Sequence, residues 1–373
     1  MIYLDYSATT MVNENVLDTF IKVSKNFVGN PNSLHKLGVD AKELINRSTE
    51  QIADLLKCKT SEIIYTSGAS ESNNMALIGI AENYKTRGNH IITTKLEHSS
   101  VYGPVTYLMN KGFDIDFINL DENGMIDINH LKELVTEKTI LVSISAVNSE
   151  IGLRQDVEKL AKILKNYPKC FFHVDATQCI GKDEIDVANI DLVSFTAHKF
   201  YGIKGIGALI KKEKIELKPL IHGGKSTTIY RSGTPAPALI SSLSKSLRLS
   251  LENNLKQYTY IKELNDEIIE NIKKLENVSI NHNKYCIPHI LNISVIGIKP
   301  ESFQHALEES DIYISTGSAC ATGDSSGSVY EFTKNSKKAS SSIRISLSHL
   351  TTKEEVKVFI KVFKKCLENL TLK

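Results

Sequence analysis

Two residues in this chain have the types and spacing of amine–carbonyl chemistry. Asp175 lies in the run Phe172-His173-Val174-Asp175-Ala176-Thr177-Gln178, and twenty-four residues later comes His198-Lys199. An aspartate at a strand end with a lysine in the next turn suits pyridoxal phosphate (PLP). The amine forms a Schiff base with the aldehyde, and the ionised carboxylate keeps the pyridine nitrogen protonated, so that the ring acts as an electron sink. Taken singly, Asp175 could cap a helix and Lys199 could be a surface amine. The following Phe-Tyr-Gly-Ile-Lys-Gly-Ile-Gly is too apolar and glycine-rich for a plain solvated turn.

Three further segments carry reactive or anion-binding types. Ser67-Gly68-Ala69-Ser70-Glu71-Ser72-Asn73-Asn74 is a small-residue turn whose free backbone N–H groups at a helix start suit a phosphate. Alone, it reads more simply as a helix start with Ser70 as N-cap. In Lys95-Leu96-Glu97-His98-Ser99-Ser100, His98 could stack on a flat ring or shuttle a proton near neutral pH, or be a polar loop residue. Cys320, within Ser315-Thr316-Gly317-Ser318-Ala319-Cys320-Ala321-Thr322-Gly323, is the one cysteine in a small, polar loop sequence, which offers the exposure a reactive thiol needs but not the electropositive neighbours.

The elements that must position these groups are legible as a pattern. Between about residues 40 and 210, helical stretches alternate with β-rich apolar runs: EIIYTS, HIIT, FDIDFINL, ILVSISAV, FFHVDA, LVSFTA and GIGALI. This alternation predicts βαβ units, a mostly parallel sheet, and a ligand site beyond the carboxyl ends of its strands. A long helical stretch over roughly 236–275 follows, then a smaller α+β portion with strands near Ile290–Ile296, SDIYIST and SIRISLS, and a last helix from 352. Gly323-Asp324-Ser325-Ser326-Gly327-Ser328 reads as a short loop.

Composition bounds the partners. The 373 residues carry 45 Lys+Arg against 43 Asp+Glu, a net charge of +2, with short isolated lysine pairs that read as solvated faces, so direct nucleic-acid binding is not expected. No run of about 18 apolar residues is present and Asp5 interrupts the N-terminal apolar stretch, so the expectation is a cytoplasmic protein with no membrane partner. The six cysteines (Cys58, Cys170, Cys179, Cys286, Cys320, Cys366) show no C-x-x-C pair, which argues against both a metal site and a disulfide framework.

Read together, these segments resemble the cysteine desulfurases of the NifS/IscS type, class V aminotransferase relatives of PLP fold type I. The motifs run in family order over nearly the whole chain: YLDYSATT at 3–10, Gly29-Asn30-Pro31 with Ser33 and His35, TSGASESNN at 66–74, EHSSV at 97–101, NSEIG at 148–152, HVDATQ at 173–178, HKFYGIKGIGAL at 198–209, RSGT at 231–234, GSAC at 317–320 and SSIRISLS at 341–348. The resemblance implies an α/β fold: a large domain with a mostly parallel seven-stranded sheet between helices, plus a smaller α+β C-terminal domain. It implies an N-terminal arm over 1–15, a large PLP-binding domain over 16–250 and a small domain over 251–373 that carries Cys320.

Position by position, it implies that Lys199 holds PLP as a Schiff base, Asp175 pairs with the pyridinium nitrogen, His98 stacks on the ring and Gln178 bonds the phenolic oxygen. Ala69, Ser70, Thr196 and His198 would hold the phosphate, and Thr234 would reach the phosphate in the partner subunit of a homodimer. Asn30, Asn148 and Arg344 would contact substrate, Arg344 by a bidentate fork on its carboxylate. Ser149, where the family usually has a second asparagine, would face the cofactor and substrate. Cys320 would attack the sulfur of L-cysteine, leaving L-alanine and a persulfide for an acceptor protein of iron–sulfur cluster assembly or tRNA thiolation, with His98 taking a thiol proton. Gly223-Gly224-Lys225-Ser226-Thr227 also departs from the family pattern, at the loop that shapes the dimer side of the site. The same fold serves selenocysteine lyases and other class V PLP enzymes, and a sulfur-transfer scaffold without activity is the alternative of another class.

Overall fold

The structure is a computed structural model that describes residues 1–224, 226–316 and 325–371. Its N-terminal segment forms β1 (Ile2–Tyr3), then α1 (Glu14–Asn26), whose start is capped by the Asn13 side chain, and α2 (Lys36–Leu56), which ends at Lys57 in the left-handed conformation. Strands and helices then alternate as expected through β2 (Ile63–Thr66), α3 (Ala69–Tyr84), β3 (His90–Thr93), α4 (Ser99–Met109), β4 (Asp114–Phe117), α5 (Ile128–Leu134), β5 (Thr139–Ser145), α6 (Val157–Leu164) and β6 (Phe171–Asp175), after which β7 (Leu192–Thr196) and β8 (Gly207–Lys211) follow with no α-helix between them.

These strands build one seven-stranded sheet in the order β2-β8-β7-β6-β5-β3-β4, parallel throughout except for β8, which runs against both neighbours. Six of its strands are buried along their whole length, and only the edge strand β4 alternates exposed with half-buried residues. That is why the runs read as continuously apolar rather than alternating. Side chains nonetheless sort by face: Ile63, Tyr65, Val142 and Ile144 join one core, while Ile64, Ile91 and Leu141 join another on the opposite face.

The expected single helix over 236–275 is two, α7 (Pro237–Glu252) and α8 (Asn254–Ile272), separated at Asn253, whose ψ of 15° leaves the helical region. Asparagine competes for its own backbone and is a poor interior helix residue, so the Asn253-Asn254 pair is a natural break. The chain continues through β9 (Val278–Ile280), β10 (Ile290–Val295), α9 (Pro300–Glu308), β11 (Ile312–Tyr313), β12 (Ser315–Thr316), α10 (Gly327–Thr333), α11 (Ser336–Ala339), β13 (Ser342–Ser346) and α12 (Lys353–Thr371). β12-β13-β10-β9 form an antiparallel sheet, and β1 pairs in parallel with β11. Leu4 therefore packs with Phe303, Phe359 and Phe363 in a separate core. The expected loop over 323–328 ends early, because Ser326 caps α10 by accepting the Val329 N–H at 3.1 Å.

Candidate active site

Every parallel strand ends at one edge of the sheet, and the expected groups gather there. In register, Asp175 of β6 lies beside Ser145 of β5 and Ser194 of β7, and Thr196 and Thr66 both pair with Gly207. Gly207 has to be glycine: a Cβ there would sit 2.6 Å from the Phe195 carbonyl oxygen and 2.8 Å from Gly68 Cα. Its absence lets the start of α3 close onto the sheet.

That helix start differs from the sequence reading. Its N-cap is Gly68 rather than Ser70, and no side chain caps it. The first N–H groups of α3, at half-buried Ala69 and exposed Ser70, are thus left for an anion. Glu71 accepts the Ser67 N–H at 2.7 Å and pairs with Arg231 at 2.9 Å, tying the RSGT segment to the same turn. Those bonds hold the Glu71 carboxyl below the usual range although burial opposes them. Thr234 is exposed and lines a cavity of about 140 Å³ with Ser67, Gly205 and Thr227.

Lys199 follows β7 in a short turn, Ala197–Lys199, and its Nζ donates to the carbonyl oxygens of Ser7 (2.6 Å) and Ala8 (2.8 Å). Gln178 Nε2 donates to the same Ser7 oxygen at 2.9 Å, so Lys199 and Gln178 meet at one point. The N-terminal motif YSATT thus supplies acceptors for the lysine, a role its residue types did not announce. Thr10 clasps the other side of the turn, donating through N (2.9 Å) and Oγ1 (3.0 Å) to the His198 carbonyl. His198 Nδ1 lies 3.2 Å from Thr9 Oγ1, and burial, reinforced by Lys199, Lys204 and Lys182, pushes its imidazole down to about 4, so it is neutral at pH 7. Thr196 Oγ1 donates to the Ile206 carbonyl at 3.1 Å.

Asp175 is 5% exposed, and its oxygens accept from Thr177 N (3.0 Å) and Asn73 Nδ2 (2.8 Å). The same Asn73 nitrogen donates to Ser100 Oγ at 2.9 Å, and Ser100 Oγ lies 2.8 Å from His98 Nδ1. Asp175 and His98 are therefore joined through Asn73 and Ser100. Asn73 had no role in the sequence reading; the available signal was a pair of polar residues, Ser72-Asn73, on the face of α3 that buries Met75, Ala76 and Leu77.

His98 caps α4, and its ring is exposed at the rim of the site. The protein packed behind the ring lowers its pKa, Asp175 opposing and Lys199 adding to the effect. His98 Nδ1 also accepts the backbone N–H of Ser100 at 3.1 Å. A backbone N–H cannot reverse its direction, so the neutral ring carries its hydrogen on Nε2. In its neutral form the ring therefore presents a proton at Nε2.

Arg344, 8% exposed, donates to Asp5 Oδ1 (2.8 Å) and to the Ser149 carbonyl (3.0 Å), and its buried Nε has no partner. In the antiparallel ladder it lies opposite Ser315, the residue that leads into the segment bearing Cys320. The other two expected substrate contacts make hydrogen bonds to protein. Asn148 is saturated by protein, donating to Leu96 O and Ser328 Oγ and accepting from the N–H groups of Glu150 and Ile151, so it pins its loop. Asn30 sits in an exposed turn, where its side chain accepts the Asn32 N–H at 3.0 Å.

Cys320 and Lys225 lie outside the described residues. Of the described thiols, Cys58 is half-buried and Cys170, Cys179, Cys286 and Cys366 are buried. Burial raises all five, Cys58 and Cys286 to about 11 and Cys179 to about 12. Such thiols hold almost no thiolate at neutral pH. Among the described residues no cluster of His, Cys, Asp and Glu could hold a metal, and no helix is long and apolar enough to cross a membrane.

Residues 2–359 match the class V aminotransferase family. The chain belongs to that family, among its cysteine desulfurases of the NifS/IscS type. It is 41% identical over 380 residues to the cysteine desulfurase IscS of Buchnera aphidicola subsp. Baizongia pistaciae, covering 99% of this chain and 93% of the relative. It is 37% identical to the mitochondrial cysteine desulfurase of Eremothecium gossypii, covering 99% of this chain and 76% of that protein. Among solved structures, a NifS-like protein superposes with a TM-score of 0.92 at 33% identity, each chain covered in full. The NifS-like protein of Rickettsia africae gives 0.89 at 30% identity, with 99% of each chain covered.

Cysteine desulfurases are PLP-dependent, and the donor set at this sheet edge fits the cofactor's groups one by one. An amine held on neutral carbonyl oxygens suits an aldehyde, a buried carboxylate suits a pyridinium nitrogen, and an uncapped helix start suits a phosphate.

Proposed function

We propose that this protein converts L-cysteine to L-alanine with PLP bound at Lys199 and receives the sulfur on Cys320 as a persulfide. The observation that carries this reading is the convergence of Lys199 and Gln178 on the Ser7 carbonyl, at the sheet edge that also holds Asp175 and the uncapped start of α3.

When PLP is bound, its protonated ring supplies a sink for the electron pair freed at the substrate α-carbon. The chain does the rest. Asp175, braced by Thr177 and Asn73, would pair with the ring nitrogen, and Gln178 would offer an N–H to the ring oxygen. The N–H groups of Ala69 and Ser70, with His198 and Thr196 beside them, hold the phosphate. Lys199 moves the α-proton. Arg344 clamps the substrate carboxylate, its fork already aligned by Asp5 and Ser149. His98 would cover the ring face, with its hydrogen on Nε2. The Cys320 thiolate attacks the substrate sulfur, so that an S–S bond forms as the C–S bond breaks.

Chain connectivity supports Cys320. Its segment starts from β12, paired with β13 at Arg344, and rejoins the fold where Ser326 bonds Glu150 and Ser328 bonds Asn148. Four residues on from Thr316, the Cys320 Cα can lie no more than about 14 Å from the Thr316 Cα. We assign the protein to the cytoplasm, where a reducing medium keeps unpaired thiols available, with a sulfur acceptor protein of iron–sulfur assembly or tRNA thiolation as its outlet.

A homodimer completes the site. Leu34 is 97% exposed and Val28 72%, and Leu37, Val39, Leu17 and Ile21 add further apolar surface on and between α1 and α2. Burying them against a second copy lets exposed Thr234 reach the partner's phosphate site.

The test is incubation with L-cysteine followed by intact mass and amino-acid analysis. Alanine forms and one reductant-labile sulfur is added in the wild type. Cys320→Ser keeps the visible colour and loses the added sulfur, and Lys199→Ala loses the colour. Absence of alanine and of added sulfur from a yellow wild type refutes the assignment.

A further inference from the structure

A second lysine lies behind Lys199. Gly181, at φ 80°, lets the chain turn against Phe200, because a Cβ at that position would come within 2.6 Å of Phe200 Cβ. This turn carries Lys182 inward, where it is 5% exposed and its Nζ donates to Gln178 Oε1. The other end of the same amide, Nε2, donates at 2.9 Å to the Ser7 oxygen that also receives Lys199.

Among the described residues no carboxylate lies within ion-pair distance of Lys182. The titratable and charged groups around it are Lys199 and His198 from the turn after β7, Arg344 of β13, buried His289 before β10, and Cys179 on its own turn. Burial first, then Lys199 and Arg344, press its amine well below its ordinary range, and only Cys179 opposes them. Burying an amine among cations without an anionic partner opposes folding, and an apolar side chain of the same length would not bear that cost. A residue that costs stability beside reactive groups is a mark of function.

We propose that Lys182 is a positioning residue: it holds the carbonyl end of the Gln178 amide, so that the N–H end can face only the Lys199 pocket and the ring oxygen of the bound cofactor. This rests on the PLP reading above. A primary amide held only at Nε2 can swing away from the ring oxygen, whereas one also held at Oε1 by an N–H donor is fixed at both ends.

The experiment compares wild type, Lys182→Met, Lys182→Arg, Gln178→Leu and the Lys182→Met/Gln178→Leu double variant. Each is read as the pH midpoint of the holoenzyme's visible absorption band and as apoprotein unfolding. Losing an aligned donor to an anionic oxygen moves the midpoint up by about one pH unit in Lys182→Met and in Gln178→Leu. The double variant shifts no further, because both changes remove the same interaction. Lys182→Arg, which keeps a donor, stays near wild type.

Apoprotein Lys182→Met is at least as stable as wild type at pH 7. Its advantage shrinks as pH rises toward 10, because the depressed amine makes wild-type stability grow with pH through that window. A destabilised Lys182→Met with an unchanged midpoint, or midpoint shifts that add in the double variant, overturns the proposal. A wild type that acquires no visible band with PLP refutes the cofactor assignment instead.

Discussion

Replacing Glu97 with glutamine separates burial from charge at the residue that anchors the His98 segment. Glu97 is 7% exposed; its Oε1 accepts from Ser145 N (3.1 Å) and Thr94 Oγ1 (2.6 Å), and its Oε2 accepts from Ser145 Oγ (2.6 Å). Burial pushes the carboxyl up to about 7, Asp175 adding to the rise and those hydrogen bonds opposing it. An unfolded glutamate titrates near 4.3. Between the two values the folded chain keeps a proton that the unfolded chain has lost, so wild-type stability falls as pH rises through that window. At about 1.4 kcal/mol per unit, the whole window is worth about 4 kcal/mol, of which about 3 kcal/mol falls between pH 4.5 and 8.

Glutamine has no such titration and keeps the acceptor for Ser145 N and Thr94. The stability of Glu97→Gln relative to wild type therefore climbs by about 3 kcal/mol from pH 4.5 to 8 and is level above. The chain has no tryptophan, so urea unfolding of both apoproteins is followed by far-ultraviolet circular dichroism at four pH values. A difference that is the same at every pH means that Glu97 is ionised throughout and refutes the reasoning.

Asn73→Leu removes two buried donor bonds, one to the Asp175 carboxylate, and should lower apoprotein stability by about 2–4 kcal/mol in urea unfolding; a loss below 1 kcal/mol shows that the network is not a structural tie. Arg344→Lys keeps the charge but cannot serve Asp5, Ser149 and a carboxylate together, so KM for cysteine rises about tenfold or more with kcat less affected; an unchanged KM removes Arg344 from the carboxylate. For His98, nitrogen NMR of the apoprotein at pH 7.5 should show an unprotonated Nδ1 and a protonated Nε2, and the opposite tautomer contradicts the lock by Ser100 N–H.

The apolar runs in the sequence mark all seven strands of the large sheet: six are buried along their length and leave an uninterrupted signature, and edge strand β4 reads as an alternating one. Asp175 and Lys199 were legible for a related reason: polar groups that follow such strands can only lie at the sheet edge. The helix break at Asn253 and the cap at Ser326 were not, since one depends on a local loss of helical dihedrals and the other on where α10 lands. The resemblance implied a substrate contact for Asn148; which protein groups its amide engages was legible only in the structure, where it bonds Leu96, Ser328, Glu150 and Ile151.

By itself, then, the sequence determined the fold class, the family and which residue types carry the reaction, because periodicity and motif order are properties of the chain. Only the tertiary structure decided that Asn73 and Ser100 join Asp175 to His98, that His98 presents a proton at Nε2, and that Lys182 stands behind Gln178. Those assignments depend on which way a donor points across residues far apart in the chain. Side-chain type and spacing carry no information about that direction.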